Sequence, residues 1–419
     1  MKKIYPLWVS GLMTFLWISF TGFSTLAQGY QWTEANEMMY PSVAHSACST
    51  GGKIFAVGGT DKTLHNNEYG ESWVQVFDPA TNSWTEVAPM PTPRMMLGVA
   101  SVNGIVYAIG GGYFGYLSSA NEAYDPSTGV WTIKASKPSP GSSFGICVVN
   151  NKIYTVGGMK ENNDWSTEVY DPLTDQWSTL PAMPHPVAGM ACASVNGKIY
   201  VIGGVDLNYN GVNFLQVFDV TTNTWEYKQH MPATRFGAVA AVVGNKIYVF
   251  GGAVWPVNTA TQSLYIYDIT TNTWSGDESL PIPTQWAAIA LSDDNTIYLS
   301  AGENKCMMTY PDAIVYKFLY KFKVFNLGLE NPVGPEIIRV SPNPVSDLVL
   351  VNYSTANYSN VTLEMFNATG SGMKIQDHRL ENRGKHEITV NMTGFAAGIY
   401  FLRITAEGVS AVRKILKVK

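Results

Sequence analysis

One strand-like string occurs six times along this 419-residue chain, and this recurrence constrains the fold more than any other feature. Each copy has an apolar run containing an aromatic residue, followed by two glycines, as in "KIYVIGG". The copies begin at Lys53, Ile105, Lys152, Lys198, Lys246 and, in a degenerate form that ends in Ala-Gly, Thr296. A short apolar run that ends in glycine is typical of a buried strand that must pack closely or turn at positive φ.

A second signature follows each apolar run after a polar loop. It consists of an aromatic residue, an aspartate, a turn and a tryptophan, as in "VFDPATNSW". The tryptophans are Trp84, Trp131, Trp177, Trp225 and Trp274. Aspartate and proline are common turn residues, and tryptophan is large enough to fill the gap between neighbouring sheets. With the alternating small-residue strand that precedes each apolar run, the pattern predicts four strands per repeat, and the period suits a propeller blade.

The ends of the repeat region predict a closed ring. Trp32 stands before the first double glycine, whereas no equivalent tryptophan follows the last one, and the final repeat ends at "AIVYKFLYKFKVF". The chain thus begins with a fourth strand and ends on a third, so the strand at Trp32 is expected to complete the sixth blade. Closure removes the free sheet edges that a linear stack would expose.

These signatures resemble kelch repeats over residues 29–325, through the double glycine, the Tyr/Phe-Asp pair and the spaced tryptophan. The resemblance implies an all-β, six-bladed kelch β-propeller. Five strong copies in register make the match specific, and the sixth is weaker because Ala301 replaces a glycine.

The N-terminal 27 residues read as a secretory signal peptide, with Lys2 and Lys3 before an apolar stretch and "TLA" as the cleavage site. The alternative is an uncleaved membrane anchor, since the apolar stretch is nearly long enough to span a bilayer. No later segment is apolar enough to do so, and no transmembrane segment is expected after signal removal.

Charge and cysteine placement narrow the function classes. Residues 28–336 carry 15 basic and 26 acidic side chains, which disfavours binding to nucleic acid. Cys48, Cys147 and Cys192 occupy nearly the same place in three repeats, so they are expected to be free, buried thiols that separate blades hold mostly too far apart to bridge. Neither the cysteines nor the histidines have metal-ligand spacing, and neither a metal nor a cofactor is expected.

The C-terminal region departs from the repeat. A Pro/Gly-rich linker is expected at 326–337, and residues 338–419 read as short alternating strands of a small Ig-like β-sandwich. The motifs "SPNPVSD", "MFNATG" and "GIYFLRI" and the end "VRKILKVK" resemble the type A sorting domain of the type IX secretion system. The resemblance implies contact with the secretion machinery, passage through the periplasm, and a product that is secreted or attached to the outer cell surface. The alternative is an Ig-like domain that binds a ligand itself.

Candidate ligand-binding residues lie in the long loops after the double glycines. These loops and the segments before the innermost strands are expected to share one face around the central channel. Aromatic rings interleaved with amides and carboxylates suit sugars or peptides, although some rings, Trp73 and Phe214 above all, are expected only to cover the blades. The candidates are Tyr69, Tyr113, Phe114, Tyr116, Trp165, Tyr209, Trp255 and Tyr310.

Three charged residues complete the candidate set. Arg94 and Arg235 occupy equivalent positions before the innermost strands, where they could hold a carboxylate, but a structural role bonding loop carbonyls is favoured. Glu303, Glu161 or Asp206, together with Arg94 or Arg235, could act as an acid or base on a bound sugar. No catalytic residue is singled out.

The pattern as a whole favours a secreted or cell-surface kelch protein that binds a glycan or an extracellular protein on its loop face. Whether it is also an enzyme stays open, and a sialic acid mutarotase-like epimerase is the alternative. A structural surface module is a third hypothesis.

Overall fold

The computed structural model describes residues 28–61, 70–113, 116–161, 165–278, 280–306, 312–326, 336–355, 359–367, 372–381, 384–406 and 409–418. They form strands, turns and loops without an α-helix, which confirms the all-β prediction. The chain divides into two compact units, of which one spans Tyr30–Phe325 and the other includes Asn326–Lys419. The signal region at 1–27 and most of the linker at 326–337 lie outside the described residues.

The first unit is built from short strands. They are β1 (Gln28–Ala35), β2 (Ser46–Thr50), β3 (Lys53–Val57), β4 (Val74–Asp78), β5 (Ser83–Val87), β6 (Gly98–Val102), β7 (Ile105–Ile109), β8 (Gly112–Tyr113), β9 (Tyr116–Leu117), β10 (Asn121–Asp125), β11 (Val130–Ile133), β12 (Gly141–Ser142), β13 (Gly145–Val149), β14 (Lys152–Val156), β15 (Met159–Lys160), β16 (Thr167–Asp171), β17 (Gln176–Leu180), β18 (Ala191–Val195), β19 (Lys198–Ile202), β20 (Leu215–Asp219), β21 (Thr224–Tyr227), β22 (Val239–Val243), β23 (Lys246–Phe250), β24 (Ala253–Val254), β25 (Thr259–Ala260), β26 (Ser263–Asp268), β27 (Thr273–Glu278), β28 (Ala288–Leu291), β29 (Thr296–Ser300) and β30 (Leu319–Asn326).

These strands form six antiparallel four-stranded sheets, which we number as blades in chain order. From the innermost strand outward, blade 1 is β2-β3-β4-β5, blade 2 is β6-β7-β10-β11, blade 3 is β13-β14-β16-β17, blade 4 is β18-β19-β20-β21, blade 5 is β22-β23-β26-β27 and blade 6 is β28-β29-β30-β1. The strand at Trp32 is therefore the outermost strand of the last sheet, as the sequence predicts.

The innermost strands follow one another around a channel. Each innermost strand contacts the next, in the order β2, β6, β13, β18, β22 and β28, and β28 contacts β2. Side chains alternate along each of these strands. The second, third and fourth positions of these strands line the channel, and the residues at the second position are Ala47, Val99, Ile146, Cys192, Ala240 and Ile289.

The repeated tryptophans join neighbouring blades, in line with their expected role between sheets. Each indole Nε1–H donates a hydrogen bond to a backbone carbonyl of the preceding repeat, about 45 residues earlier in the chain. The pairs are Trp84 to Asn36 at 2.8 Å, Trp131 to Ala88 at 2.8 Å, Trp177 to Ala135 at 2.8 Å, Trp225 to Pro181 at 3.2 Å and Trp274 to Gln229 at 2.7 Å. The indole therefore fills space and also forms a hydrogen bond between neighbouring blades.

A closed circle of backbone hydrogen bonds surrounds the channel just before the innermost strands, with one residue from each blade. The N–H of each member donates to the carbonyl of the preceding one: Met96 to Ala44 (2.7 Å), Ser143 to Met96 (2.9 Å), Gly189 to Ser143 (2.9 Å), Gly237 to Gly189 (2.8 Å), Trp286 to Gly237 (2.8 Å) and Ala44 to Trp286 (3.0 Å). All six residues have positive φ, between 51° and 62°. We call this feature the backbone circle.

The second unit is a sandwich of two antiparallel sheets, in the orders β31-β32-β35 and β34-β33-β36-β37. Its strands are β31 (Glu336–Ser341), β32 (Leu348–Thr355), β33 (Ser359–Asn367), β34 (Gly372–Glu381), β35 (Gly384–Asn391), β36 (Gly398–Ala406) and β37 (Val409–Lys417). Asn343 of the "PNP" motif fixes the first loop to the last strand, because its side chain donates to the Lys414 carbonyl at 2.9 Å and accepts from the Leu416 N–H at 2.8 Å.

Candidate functional site

The loops after the double glycines and the segments before the innermost strands lie on one face, as predicted. In each blade, a residue just after the double glycine pairs with a residue of the segment leading into β2, β6, β13, β18, β22 or β28. The pairs are Val43 with Thr60, Met95 with Gly112, Gly141 with Lys160, Ala188 with Val205, Phe236 with Ala253 and Gln285 with Glu303. We call this surface the loop face.

The first two blades contribute little described side-chain structure to the loop face. Tyr69 and Phe114 lie outside the described residues, as does Tyr310 of blade 6, and of Tyr113 only the backbone, in β8, is described. The side chain of Tyr116 is 65% exposed. Trp73 is buried and donates to the Gly58 carbonyl at 2.9 Å, which agrees with the expectation that it covers its blade.

Blades 4 to 6 carry a continuous run of four aromatic rings that leads from the rim of the loop face toward the channel. Ring centroids are 6.5 Å apart between Tyr209 and Trp255, 5.9 Å between Trp255 and Phe236, and 6.2 Å between Phe236 and Trp286. Tyr209 is 59% exposed, whereas Phe236 is buried and the two indoles are half-buried. We call these rings the aromatic series.

Trp286 was not among the predicted site residues. Its backbone belongs to the backbone circle, with φ of 51°, an unusual conformation for so large a residue. The indole lies against Gly189 and Gly237, where an added Cβ would come within 2.8 Å and 3.2 Å of its ring atoms. Glycines at these two positions therefore make room for the indole at the channel mouth. The signal was present in the sequence, because "TQWAAIA" puts a tryptophan where the other repeats have Ala, Met, Ser or Gly.

A cleft of about 230 Å³ opens on the loop face where blades 3 and 4 meet. Trp165 and Tyr209, two of the predicted residues, are among its lining, together with Lys160 and Asp206. Asp206 organises its own loop, since its Oδ1 accepts from the N–H groups of Asn208 and Asn210 at 2.9 Å and 2.8 Å. The hydrogen bond from the Asn210 N–H leads the effects that lower the pKa of this carboxyl, so Asp206 is charged at neutral pH.

Below the cleft, a buried charged cluster supports the segment that carries Trp165. Lys137 and Lys160 both bind Glu168 Oε2, and the side chains of all three are inaccessible to solvent. Lys160 Nζ also donates to the Ser166 carbonyl at 2.6 Å, and Ser139 N–H donates to Glu168 Oε1 at 2.9 Å. Because buried charges are tolerated only when paired and hydrogen-bonded, this cluster fixes the backbone next to Trp165.

Arg94 is engaged inside blade 2. Its Nη1 donates to Glu122 Oε2 at 2.8 Å and its Nη2 to the Ala108 carbonyl at 3.1 Å, and the side chain is 1% exposed. Equivalent contacts join third-strand side chains to the segment before the innermost strand in other blades, for instance Gln75 to Tyr40 and Gln216 to His185. The geometry thus supports the structural role favoured for Arg94.

Arg235 and Glu303 are also buried. Arg235 donates to Ser263 Oγ at 3.0 Å and to the Thr234 carbonyl at 2.8 Å, and its guanidinium lies 5.3 Å from the centroid of the Tyr265 ring. Burial lowers the pKa of Arg235. Glu303 is 2% exposed and accepts from Gln285 Nε2 at 3.3 Å. None of the three predicted charged residues lines the cleft.

A central cavity of about 250 Å³ occupies the channel beneath the backbone circle. Its lining is mostly small and apolar, with Trp286 at one side and His45 at another. His45 accepts or donates a 2.9 Å hydrogen bond with Ser300 Oγ, and burial lowers its pKa to about 3, so it is neutral at physiological pH. In the described part of the chain, no group of three or more His, Cys, Asp or Glu could hold a metal ion.

Family comparisons agree with this architecture. The KLHDC2/KLHL20/DRC7 Kelch-repeats domain matches residues 145–321, and the Kelch motif matches residues 41–91 and 93–138. The secretion system C-terminal sorting domain matches residues 339–418. No helix in the described ranges is long and apolar enough to cross a membrane.

Curated relatives match over single short stretches. Kelch-like ECH-associated protein 1A of Danio rerio is 38% identical over 82 residues, which cover 20% of this chain and 14% of the relative. Kelch-like protein 36 of Bos taurus is 36% identical over 81 residues (19% and 13%), and alpha-scruin of Limulus polyphemus is 33% identical over 91 residues (22% and 10%). The chain thus matches about an eighth of the length of these relatives. A match of this extent supports the assignment of the repeat and carries no information about activity.

Similarity to a solved structure extends over the whole propeller. The structure of YjhT superimposes with a TM-score of 0.58 at 16% identity and covers 70% of this chain and 99% of that chain. At this identity the likeness shows the fold alone. The repeats, the closed ring of six sheets and the family matches together identify this chain as a member of the kelch-repeat β-propeller proteins, with a C-terminal secretion sorting domain.

Proposed function

We propose that this exported kelch protein binds a carbohydrate chain on the loop face of blades 3 to 6, without catalysis. The aromatic series is the observation that carries the proposal. Four rings lead from exposed Tyr209 to Trp286 at the channel mouth, and Trp165 faces the same region from across the cleft. Aromatic faces with nearby polar groups are suited to the apolar faces and hydroxyls of sugars.

The polar surroundings are consistent with a sugar ligand. Asp206 lines the cleft beside Trp165 and Tyr209 and offers a carboxylate acceptor there, whereas Lys160 is paired with Glu168 and supports the backbone next to Trp165. A protein partner that inserts a polar loop into the cleft is the competing occupant. Export follows from the sorting domain, and we further propose that residues 1–27 are removed and that the chain passes through the periplasm before it is secreted or attached to the surface.

A glycan array probed with the exported protein tests the proposal. We expect a selective hit whose affinity falls about fivefold to thirtyfold in Trp255→Ala and in Trp165→Ala, because stacking one ring on a sugar contributes on the order of 1 to 2 kcal/mol. Leu173→Ala is the control, since Leu173 is 93% exposed in the turn between β16 and β17, at the end of blade 3 opposite the loop face. Equal losses in all three variants, or an array with no hit, would contradict a glycan site at the aromatic series.

The alternative function is exchange of sugar anomers, as in a sialic acid mutarotase-like enzyme. That chemistry needs a carboxylate and an arginine facing a bound sugar. Support is weak, because Arg94 is paired with Glu122, Arg235 is held by Ser263, and neither lines the cleft or the central cavity. NMR observation of anomer exchange in free sialic acid provides the test. Anomer exchange that is lost in Glu303→Gln and is also weakened in Arg94→Lys or Arg235→Lys would make the alternative preferable.

A further inference from the structure

The innermost strands of blades 3 and 4 bring two thiols together. Cys147 lies on β13 and Cys192 on β18, and their sulfur atoms are 3.1 Å apart. The four cysteines carry free thiols in the structure, and Cys48 and Cys306 complete the set. The expectation that separate blades hold these sulfurs mostly too far apart therefore fails for this pair.

A one-residue offset between repeats explains the approach. Cys147 stands at the third position of its strand, opposite Tyr154, whereas Cys192 stands at the second position of the next innermost strand, opposite Val201. Successive side chains on a strand point in opposite directions. Cys147 is therefore directed toward blade 4, and Cys192 is directed back to meet it.

Blades 1 and 2 provide an internal comparison. Cys48 occupies the third position of β2, as Cys147 does in β13, and the second position of β6 is Val99. Cys48 and Val99 pack in the same buried cluster. The architecture thus places the third and second positions of successive innermost strands in contact, and only between blades 3 and 4 are both of these positions cysteine.

We propose that Cys147 and Cys192 form a disulfide in the exported protein and that this bond fastens blade 3 to blade 4 beneath the cleft. Export carries the chain into surroundings where disulfides form and persist. The proposal concerns a covalent modification and holds whatever ligand the loop face binds. By fixing the two blades that flank the cleft, the bond would keep Trp165 and Tyr209 at a constant separation.

The oxidant is the disulfide of a thiol oxidase or of glutathione, and the reaction is thiol–disulfide exchange. The thiolate of one cysteine attacks the oxidant disulfide, forming a mixed disulfide and releasing one thiolate. The second cysteine, as thiolate, attacks the protein sulfur of the mixed disulfide and releases the other thiolate. Two protein thiols are oxidised to one disulfide, and the oxidant accepts two electrons and two protons to become two thiols.

The burial of the two thiols determines when during folding the disulfide can form. The hydrogen bond with Cys147, together with burial, raises the pKa of the Cys192 thiol well above its usual value, which suppresses the reactive thiolate. We therefore expect the bond to form while blades 3 and 4 are still assembling, and to form slowly when oxidant is added to the folded, reduced protein.

Thiol counting on the exported protein, harvested by acid quench, tests the proposal. The sample is denatured without reductant, alkylated and weighed by intact-mass spectrometry. We expect two alkylated cysteines before reduction and four after it, and a tryptic peptide pair joined through Cys147 and Cys192. Four alkylated cysteines before reduction, or a cross-link that includes Cys48 or Cys306, would overturn the assignment.

Matched variants separate this pair from adventitious oxidation, and the readout in denaturant does not require them to fold well. Cys147→Ser and Cys192→Ser should each leave three alkylatable cysteines without reduction. Cys48→Ser should leave one and retain the cross-link. Val99→Cys should create a second disulfide, with Cys48, so that only Cys306 is alkylated. A Cys147→Ser protein with only one alkylated cysteine before reduction would contradict the proposed pairing, because it would hold a disulfide that does not include Cys147.

Discussion

Replacing Glu122 by glutamine should destabilise the propeller severely, although the substitution keeps the size and shape of the side chain. Glu122 and Arg94 form a 2.8 Å ion pair with side chains 3% and 1% exposed. Glu122→Gln leaves the guanidinium buried without a counter-charge. Removing one partner of such a pair costs about 3 to 5 kcal/mol. The remaining hydrogen bond to the Ala108 carbonyl does not neutralise the charge.

The size of the propeller unit converts this cost into a melting shift. The unit spans Tyr30–Phe325, for which an unfolding entropy of roughly 2.1 cal/mol/K per residue gives about 0.6 kcal/mol/K in total. A loss of about 3 to 5 kcal/mol then lowers Tm by about 5 to 8 °C. Differential scanning calorimetry resolves a shift of this size and can separate the propeller transition from that of the tail.

Two controls make the test specific to buried charge. Glu37→Gln removes the same charge from an exposed pair with Lys317, in which the side chains are 60% and 50% exposed, and should change Tm by less than about 2 °C. The double variant Arg94→Met, Glu122→Leu removes both charges and should recover most of the loss. A Glu122→Gln shift as small as that of Glu37→Gln, or a double variant no more stable than the single one, would refute the reasoning.

Two further predictions address the channel. The folded-state pKa of His45, about 3, lies below the unfolded value of 6.5, so acid protonates the unfolded chain first and the free energy of unfolding falls as pH drops below 6.5. By pH 4 the loss from this group is about 3 kcal/mol. His45→Gln should therefore flatten the curve of Tm against pH over that range, and a curve parallel to that of the unaltered protein would contradict the assignment. Gly189→Ala, at φ of 62°, should displace Trp286, because the new Cβ would lie 2.8 Å from the indole. The NMR resonance of the Trp286 indole N–H, assigned with Trp286→Phe, should therefore move. Gly197→Ala is the control: at φ of 73° it should cost the same backbone strain, on the order of 1 to 2 kcal/mol, but no atom lies nearer than 3.9 Å to its Cβ and the resonance should not move.

The repeat made much of the fold predictable from the sequence. Strand identity, the shared loop face and the role of the spaced tryptophans all followed from local patterns that recur, because each blade repeats the same packing problem. The strand at Trp32 was placed by counting signatures, and its pairing with β30 is the outcome of that count.

The site was less predictable because it depends on relations between repeats. Trp286 looks like an ordinary residue before a strand until the backbone circle places it at the channel mouth. Glu122, the partner of Arg94, lies 28 residues away on the third strand and is selected by the sheet register. The two thiols meet because of a one-residue offset, which flips a side chain across the strand yet barely changes the spacing of cysteines in the sequence.

The pairing of β1 with β30 also sets an order of events for a chain made from its N-terminus. Residues 28–35 emerge before the rest of the propeller, yet their sheet partner among the described strands is β30, which begins at Leu319. The backbone circle is subject to the same delay, since its link from Ala44 to Trp286 needs the sixth blade. Joining such distant segments is slow and cannot begin until the last of them has been synthesised. The outermost strand of blade 6 is therefore synthesised before the other propeller strands but is paired after them, and the ring remains open until almost the whole propeller has been made.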